Sequence, residues 1–278
     1  MEIPGFDRIP GAIAIDLDGT LLNSRTQLSS RNQIALQKCI NIGIPVIIAT
    51  SRPLRIFDRI FPAELARSCS LVAMNGAIAR GSPPLSGSYR ESLTEAMARG
   101  IICLAQENSP EAHITVEIDG YQFGLNWAPE PGTLWQRNSA TPEMVCSLEA
   151  AIKQQPCKIA VSRVEIDTLT RELSKKYGQA ISIVAAKITY PILNITGANA
   201  SKTNAIRRLL QPRGVSLKEV LAFGDDYPDL EMLRECGTSV AMANAFSEVT
   251  AVCRYSTASN DEDGVAIVLE EMLQSLHL

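Results

Sequence analysis

Histidine is almost missing from this chain of 278 residues: only His113 and His277 occur. That excludes a catalytic or zinc site built from several histidines. The seven cysteines include no C-x-x-C pair, and their number is odd. Neither a disulfide framework nor a thiolate zinc site fits, and reduced thiols in a core are expected. No uncharged stretch reaches the ~18 residues needed to span a bilayer. The net charge is only −4, too acidic for a general grip on nucleic-acid phosphates. Glu2, Asp7 and Arg8 break up the first ten residues, so no secretion signal is read there and a cytoplasmic protein is expected. The sequon Asn194-Ile195-Thr196 is then read as chance. There is no G-x-S-x-G, and His113 is the one histidine that could serve a serine or cysteine nucleophile.

What is present is a normal globular composition. Hydrophobic residues make up 46% and charged residues 20%, enough apolar material for a core in one large or two moderate domains. Short apolar runs alternate with helical periods at both ends of the chain. Ala12–Ile15, Pro45–Ala49 and Leu71–Met74 read as strands; Ser30–Ile42 and Pro53–Ala66 read as helices. The runs are apolar on both faces, as in a buried parallel sheet. The pattern resumes near Ile188: strands at Ile192–Ile195, Val220–Phe223 and Ser239–Met242, helices at Ser201–Leu210, Pro228–Glu235 and Glu262–Leu276. This order predicts a doubly wound parallel α/β sheet.

The middle is different. Gly81-Ser82-Pro83-Pro84 breaks the pattern. A helix is expected over Glu91–Glu107, then strands His113–Ile118 and Tyr121–Asn126 around the hairpin signal Asp119-Gly120. A Pro/Gly-rich loop (Pro129 to Gly132), a helix near Glu143–Ile152 and a strand–helix–strand from Cys157 to Val184 follow. The expected organisation is a core from residues 1–80 and 188–278, with an α/β cap domain, 81–187, inserted.

In open α/β sheets ligands bind beyond the carboxyl ends of the strands. Four runs end there in polar groups: Asp16-Leu17-Asp18-Gly19-Thr20, Thr50-Ser51-Arg52-Pro53, Asn75-Gly76, and Gly224-Asp225-Asp226 through Asp229. So many carboxylates at one edge repel one another, and leaving them unpaired and partly buried is costly. Mg²⁺, a hard cation held by few carboxylates plus substrate phosphate and water, resolves this. One carboxylate can attack phosphorus; a second can donate a proton to the leaving oxygen and then activate water. Lys202, near a helix start, and the Thr50 hydroxyl suit phosphate oxygens.

These motifs resemble the haloacid dehalogenase (HAD) superfamily, and within it the Cof-type phosphatases with an inserted α/β cap. Asp16-Leu17-Asp18-Gly19-Thr20-Leu21-Leu22 matches the first motif and Asn75-Gly76-Ala77 the N-G-A after the third strand. Ala49-Thr50-Ser51-Arg52-Pro53, Ser201-Lys202 and Gly224-Asp225-Asp226 to Asp229 are similar to the remaining motifs. Ala241-Met242-Ala243-Asn244-Ala245 and the segment from Asn260 to Ala266 resemble two further signatures. The resemblance implies Asp16 as nucleophile and metal ligand. It implies Asp18 as general acid/base, binding the metal through its carbonyl, with Thr20 steering it. Thr50, Ser51 and Lys202 would hold the phosphoryl group. Asp225 would complete the metal ligands with Asp229 beside it, and Arg52, Asn75 and Gly76 would lie near the substrate. Ser51, Thr203, Asp226 and Pro228 depart from the usual residues.

The implied activity is a Mg²⁺-dependent phosphatase acting on a small phosphorylated metabolite, a sugar phosphate first, through an aspartyl-phosphate. A phosphomutase on the same site, or a HAD-like ligand-binding regulator, are the alternatives. A P-loop nucleotidase fails on spacing, because Ser201 and Thr196 stand where glycines are required. Cap aromatics Tyr121, Phe123, Trp127 and Trp135 either stack a substrate ring or fill the cap core.

Overall fold

The computed structural model describes residues 2–129, 132, 139–186 and 191–278. In chain order the strands are β1 (Ala12–Asp16), β2 (Val46–Ala49), β3 (Ser70–Ala73), β4 (Ile78–Arg80), β5 (Ser88–Arg90), β6 (His113–Glu117) and β7 (Phe123–Leu125). They continue with β8 (Val145–Ser147), β9 (Lys158–Ser162), β10 (Ile181–Ala186), β11 (Ile192–Gly197), β12 (Val220–Gly224), β13 (Thr238–Ala241) and β14 (Tyr255–Ser256). Two sheets form, with the orders β14-β13-β12-β1-β2-β3-β4-β5 and β10-β11-β9-β6-β7-β8.

The first sheet is parallel from β14 to β3 and closes with the antiparallel β4 and β5. Its central strands β1 and β2 are buried along their whole length, which is why they read as continuous apolar runs. Alternation sends their side chains to opposite faces. Ile13 and Ile15 pack with helices Ser30–Asn41 and Gly264–Ser275, while Ala12 and Ala14 pack with helices Lys202–Leu210 and Leu230–Glu235. Helices on both faces make the sheet doubly wound, as the sequence pattern predicts. Because the parallel strands run one way, Asp16, Thr50 and Asp225 emerge at the same edge.

The second sheet is largely antiparallel. One face, with Ile114, Val116, Ile159, Val161, Leu193 and Ile195, is covered by helices Glu95–Asn108 and Ile166–Tyr177. The other face carries Glu117, Lys158, Asn194 and Thr196 and meets the first sheet's loops at Ser51 and Arg55.

Several expected boundaries are corrected. Ile192–Gly197 pairs with β10 and β9 and belongs to the second sheet, not to the core sheet; Leu193 and Ile195 fill the second sheet's core. Ser88–Arg90, placed in the cap from sequence, extends the first sheet through β4. Pro53–Ala66 is broken: a short 3-10 turn Leu54–Ile56 leads to helix Phe57–Ile60, and Pro62 separates this from helix Ala63–Ser68, as proline ends a helix before it. The expected helix near Glu143 begins instead as a 3-10 turn and a short strand, β8, before helix Leu148–Lys153. The 187/188 boundary and Trp135 lie outside the described residues.

Candidate active site

Asp16 ends β1 and is 5% exposed. Lys202 enters from the first turn of helix Lys202–Leu210, which Ser201 caps by accepting the backbone N–H of Asn204 at 3.1 Å. Capping fixes where the helix starts and so where the lysine points. Its ammonium donates to Asp16 Oδ1, and to Asp229 Oδ1 at 2.6 Å. Asp229 in turn accepts the backbone N–H groups of Asp225 and Asp226 on Oδ2, at 3.1 and 3.2 Å. It thus ties the lysine to the loop after β12. Pro228 sits in the first turn of the 3-10 segment Tyr227–Asp229, where its missing N–H has no partner to lose. Ligand oxygens of Asp16, Asp225 and Asp229 all lie within 4.8 Å of one another.

The remaining predicted residues also gather here, with two changes of partner. Thr20 donates its hydroxyl to Asp225 Oδ1 at 2.7 Å, so it steers the carboxylate of Asp225, not that of Asp18. Asp18 instead meets Arg52 in a two-point pair, Nε to Oδ2 at 2.7 Å and Nη2 to Oδ1 at 2.5 Å. That fork geometry is the strong form of a carboxylate–guanidinium contact. Its reach from the second-strand loop was not legible in the spacing. Thr50 is buried and its hydroxyl accepts the Arg52 backbone N–H at 3.0 Å. Asn75 is buried with φ +57, and neither polar atom of its side chain has a partner among the described residues. Two glycines make close approaches. A Cβ on Gly19 (φ +77) would stand 2.2 Å from Asp225 Oδ2, and one on Gly76 (φ +89) 2.1 Å from the Ser201 carbonyl oxygen.

Crowding shifts the protonation of these groups. Burial pushes the Asp16 carboxyl well above its ordinary value; Asp229, Asp225 and Asp18 push the same way and Lys202 opposes them. Burial likewise raises Asp225 to about 7, against the opposing hydrogen bond from Thr20. Burial pulls Lys202 down, but Asp16 and Asp229 override it and hold the ammonium above its ordinary value. A site this short of positive charge fits a hard divalent cation with carboxylate ligands.

Sequence reasoning missed a second polar cluster where the two sheets meet. Arg55 (2% exposed) donates to both oxygens of Glu117 on β6, each at 2.7 Å, and lies 4.4 Å from the centre of the Phe123 ring. Lys158 on β9 donates to the Ser51 carbonyl at 3.0 Å. Glu117 and Lys158 stand opposite each other in register. The visible signal was a charged residue inside each strand pattern, but strand pattern alone does not say what lies across an interface. The aromatics divide: His113 stacks on Trp127 at 4.8 Å and Phe123 packs with Trp127 in a small cluster of the second sheet, while Tyr121 packs against the first sheet's core, its ring centre 5.6 Å from Arg80 of β4.

A doubly wound sheet whose carboxyl edge gathers Asp16, Asp18, Asp225, Asp229 and the buried Lys202 belongs to the class of α/β proteins with an acidic, cation-ready site at the strand ends. The chain belongs to the haloacid dehalogenase-like hydrolases, whose family model matches residues 13–269. Phosphatase YwpJ of Bacillus subtilis is 27% identical, covering 94% of this chain and 99% of the relative. The 5-amino-6-(5-phospho-D-ribitylamino)uracil phosphatase YitU of the same organism is 26% identical over 94% of this chain and 97% of its own length. A crystal structure of a haloacid dehalogenase-like hydrolase from Bacteroides thetaiotaomicron superposes with a TM-score of 0.81 at 25% identity, over 95% of this chain and all of that one. No helix among the described residues is long and apolar enough to cross a membrane.

Proposed function

We propose that this protein is a Mg²⁺-dependent phosphatase that hydrolyses a small phosphorylated metabolite through an aspartyl-phosphate on Asp16. The observation that carries the reading is Asp16 at the end of a central strand, gripped by Lys202, with Asp225 and Asp229 alongside. Asp16, Asp225 and the main-chain carbonyl of Asp18 would hold the ion. Asp229, expected as a further ligand, has both oxygens engaged, by Lys202 and by two backbone N–H groups. Its role is to anchor the lysine and the loop. Bound magnesium supplies the positive charge that lets an anionic carboxylate meet a phosphate dianion.

A carboxylate oxygen of Asp16 attacks phosphorus; the phosphorus–ester oxygen bond breaks as Asp18 gives its proton to the leaving oxygen. Asp18, now a carboxylate, then takes a proton from water, whose oxygen attacks phosphorus. The phosphorus–Asp16 bond breaks and inorganic phosphate leaves. Thr50, the Ser51 loop and Lys202 hold the phosphoryl oxygens through both steps. Asp18 can act only after Arg52 releases it, so substrate must draw Arg52 away. Asn75, buried and without a side-chain partner among the described residues, is a substrate contact in this reading. The second sheet and its helices form the cap, roughly 81–187 with β11 added and β5 given to the core. YitU's named substrate carries a phosphorylated sugar-alcohol chain, which supports phosphorylated sugars and polyols as the first compounds to assay.

The test is phosphate release from sugar phosphates, a ribitylaminouracil phosphate, nucleotides and an aryl phosphate, with magnesium and with chelator. Magnesium-dependent release from at least one compound is expected. No release from any would overturn the assignment.

A further inference from the structure

Among the described residues, Lys158 is a buried charge that the proposed chemistry leaves unused and that hydrogen-bonds to no carboxylate, unlike the paired Arg55 and Glu117. It projects from β9 on the face turned away from the cap's own helices and is 7% exposed. Among the described residues, the single acceptor at its ammonium is the neutral carbonyl of Ser51, in the loop that would hold phosphate. The carboxylate that faces it, Glu117, gives both oxygens to Arg55. Its other neighbours across β9 and β11 on that face, Ala160, Thr196 and Asn194, are uncharged. Among the described residues, the Lys158 ammonium therefore lies buried beside the loop that would hold phosphate, with the facing carboxylate already engaged by Arg55. Burial draws the lysine's pKa down while Glu117 draws it up and Arg55 down. A buried ammonium with one neutral acceptor is an incomplete site.

We propose that Lys158 is a specificity-determining residue that binds a second anionic group of the substrate, a carboxylate or a further phosphate, beyond the phosphate being removed. The inference rests on the phosphatase reading and names its substrate class: short phosphomonoesters with two anionic ends. The second group must be near the first, because Lys158 already touches Ser51. Asn194, diagonal to Lys158 on the neighbouring strand, stands where it can contact the atoms between them.

The test compares three compounds of similar size: a neutral sugar monophosphate, a sugar bisphosphate and a phosphorylated short carboxylic acid, with an aryl phosphate as reference. Wild type, Lys158→Met, Lys158→Gln and Lys158→Arg are assayed, with melting curves to confirm folding. Lys158→Gln keeps a donor for the Ser51 carbonyl and removes only the charge. The expected result is a preference of wild type for a doubly anionic compound, reduced about tenfold or more in kcat/KM by Lys158→Gln, chiefly through KM, and partly restored in Lys158→Arg. Whether the bisphosphate or the carboxylic acid loses more identifies the second group. Equal loss across all compounds, the aryl phosphate included, or no change in the ranking, overturns the proposal. Binding of the same compounds to Asp16→Asn, read by calorimetry, separates the two readings. A charge preference there that Lys158→Gln removes supports the Lys158 site even if wild type turns nothing over; no charge preference in binding overturns it.

Discussion

At the scale of single residues, the proposed chemistry falls on Asp16, and its neighbours set its charge. Asp16→Asn keeps the shape and removes the nucleophile. Phosphate release should fall by on the order of 10⁴-fold or more while the melting curve stays cooperative. Asp225 makes a prediction about pH. Its carboxyl is raised from an ordinary value of 3.8 to about 7 in the folded protein, so between those values the folded state holds a proton that the unfolded state has lost. Its contribution to stability is therefore present below about 4 and is lost as pH rises through about 7. Without metal, the melting temperature of wild type relative to Asp225→Asn should fall over that range. Magnesium should reverse the trend, stabilising most above pH 7, where the carboxylates are ionised. Equal slopes for the two proteins in chelator would contradict the assignment.

At the scale of elements, the site depends on how closely the turn after β3 approaches the start of helix Lys202–Leu210. Gly76→Ala places a methyl group 2.1 Å from the Ser201 carbonyl oxygen, at a φ of +89. The helix start must shift and carry Lys202 with it; a misplacement near 1 Å costs about 10²-fold in kcat, measurable by steady-state kinetics. The strand-end motifs were legible in sequence because polar residue types stand at the ends of apolar runs: Asp16, Thr50 and Asp225 gather at one edge, and Lys202 joins them from a helix start. What was not legible is pairing. β11 alternates Leu193 and Ile195 with Asn194 and Thr196, a pattern that suits either sheet, and only its partners β9 and β10 decide. β5, Ser-Tyr-Arg, is too polar to read as a strand; it is an edge strand held by backbone pairing to β4. Thr20 choosing Asp225, and Arg52 choosing Asp18, depend on side-chain reach that spacing does not encode.

At the scale of the whole molecule, the two sheets are joined by buried charge. Removing one partner of a buried ion pair leaves the other uncompensated, so Glu117→Ala should destabilise the protein by about 3–5 kcal/mol in denaturant unfolding. If Arg55 and Glu117 contribute only as a surface pair would, the loss will stay below about 1 kcal/mol. The two crossings between the sheets also lie together. Glu91, just after β5, accepts from the Asn199 side chain at 3.2 Å and packs against Gly197 at the end of β11. The chain departs for the second sheet and returns from it at one place. Under the proposed function, the second sheet can therefore be rebuilt through a single doorway, with the acidic edge left standing and only the choice of guest rewritten.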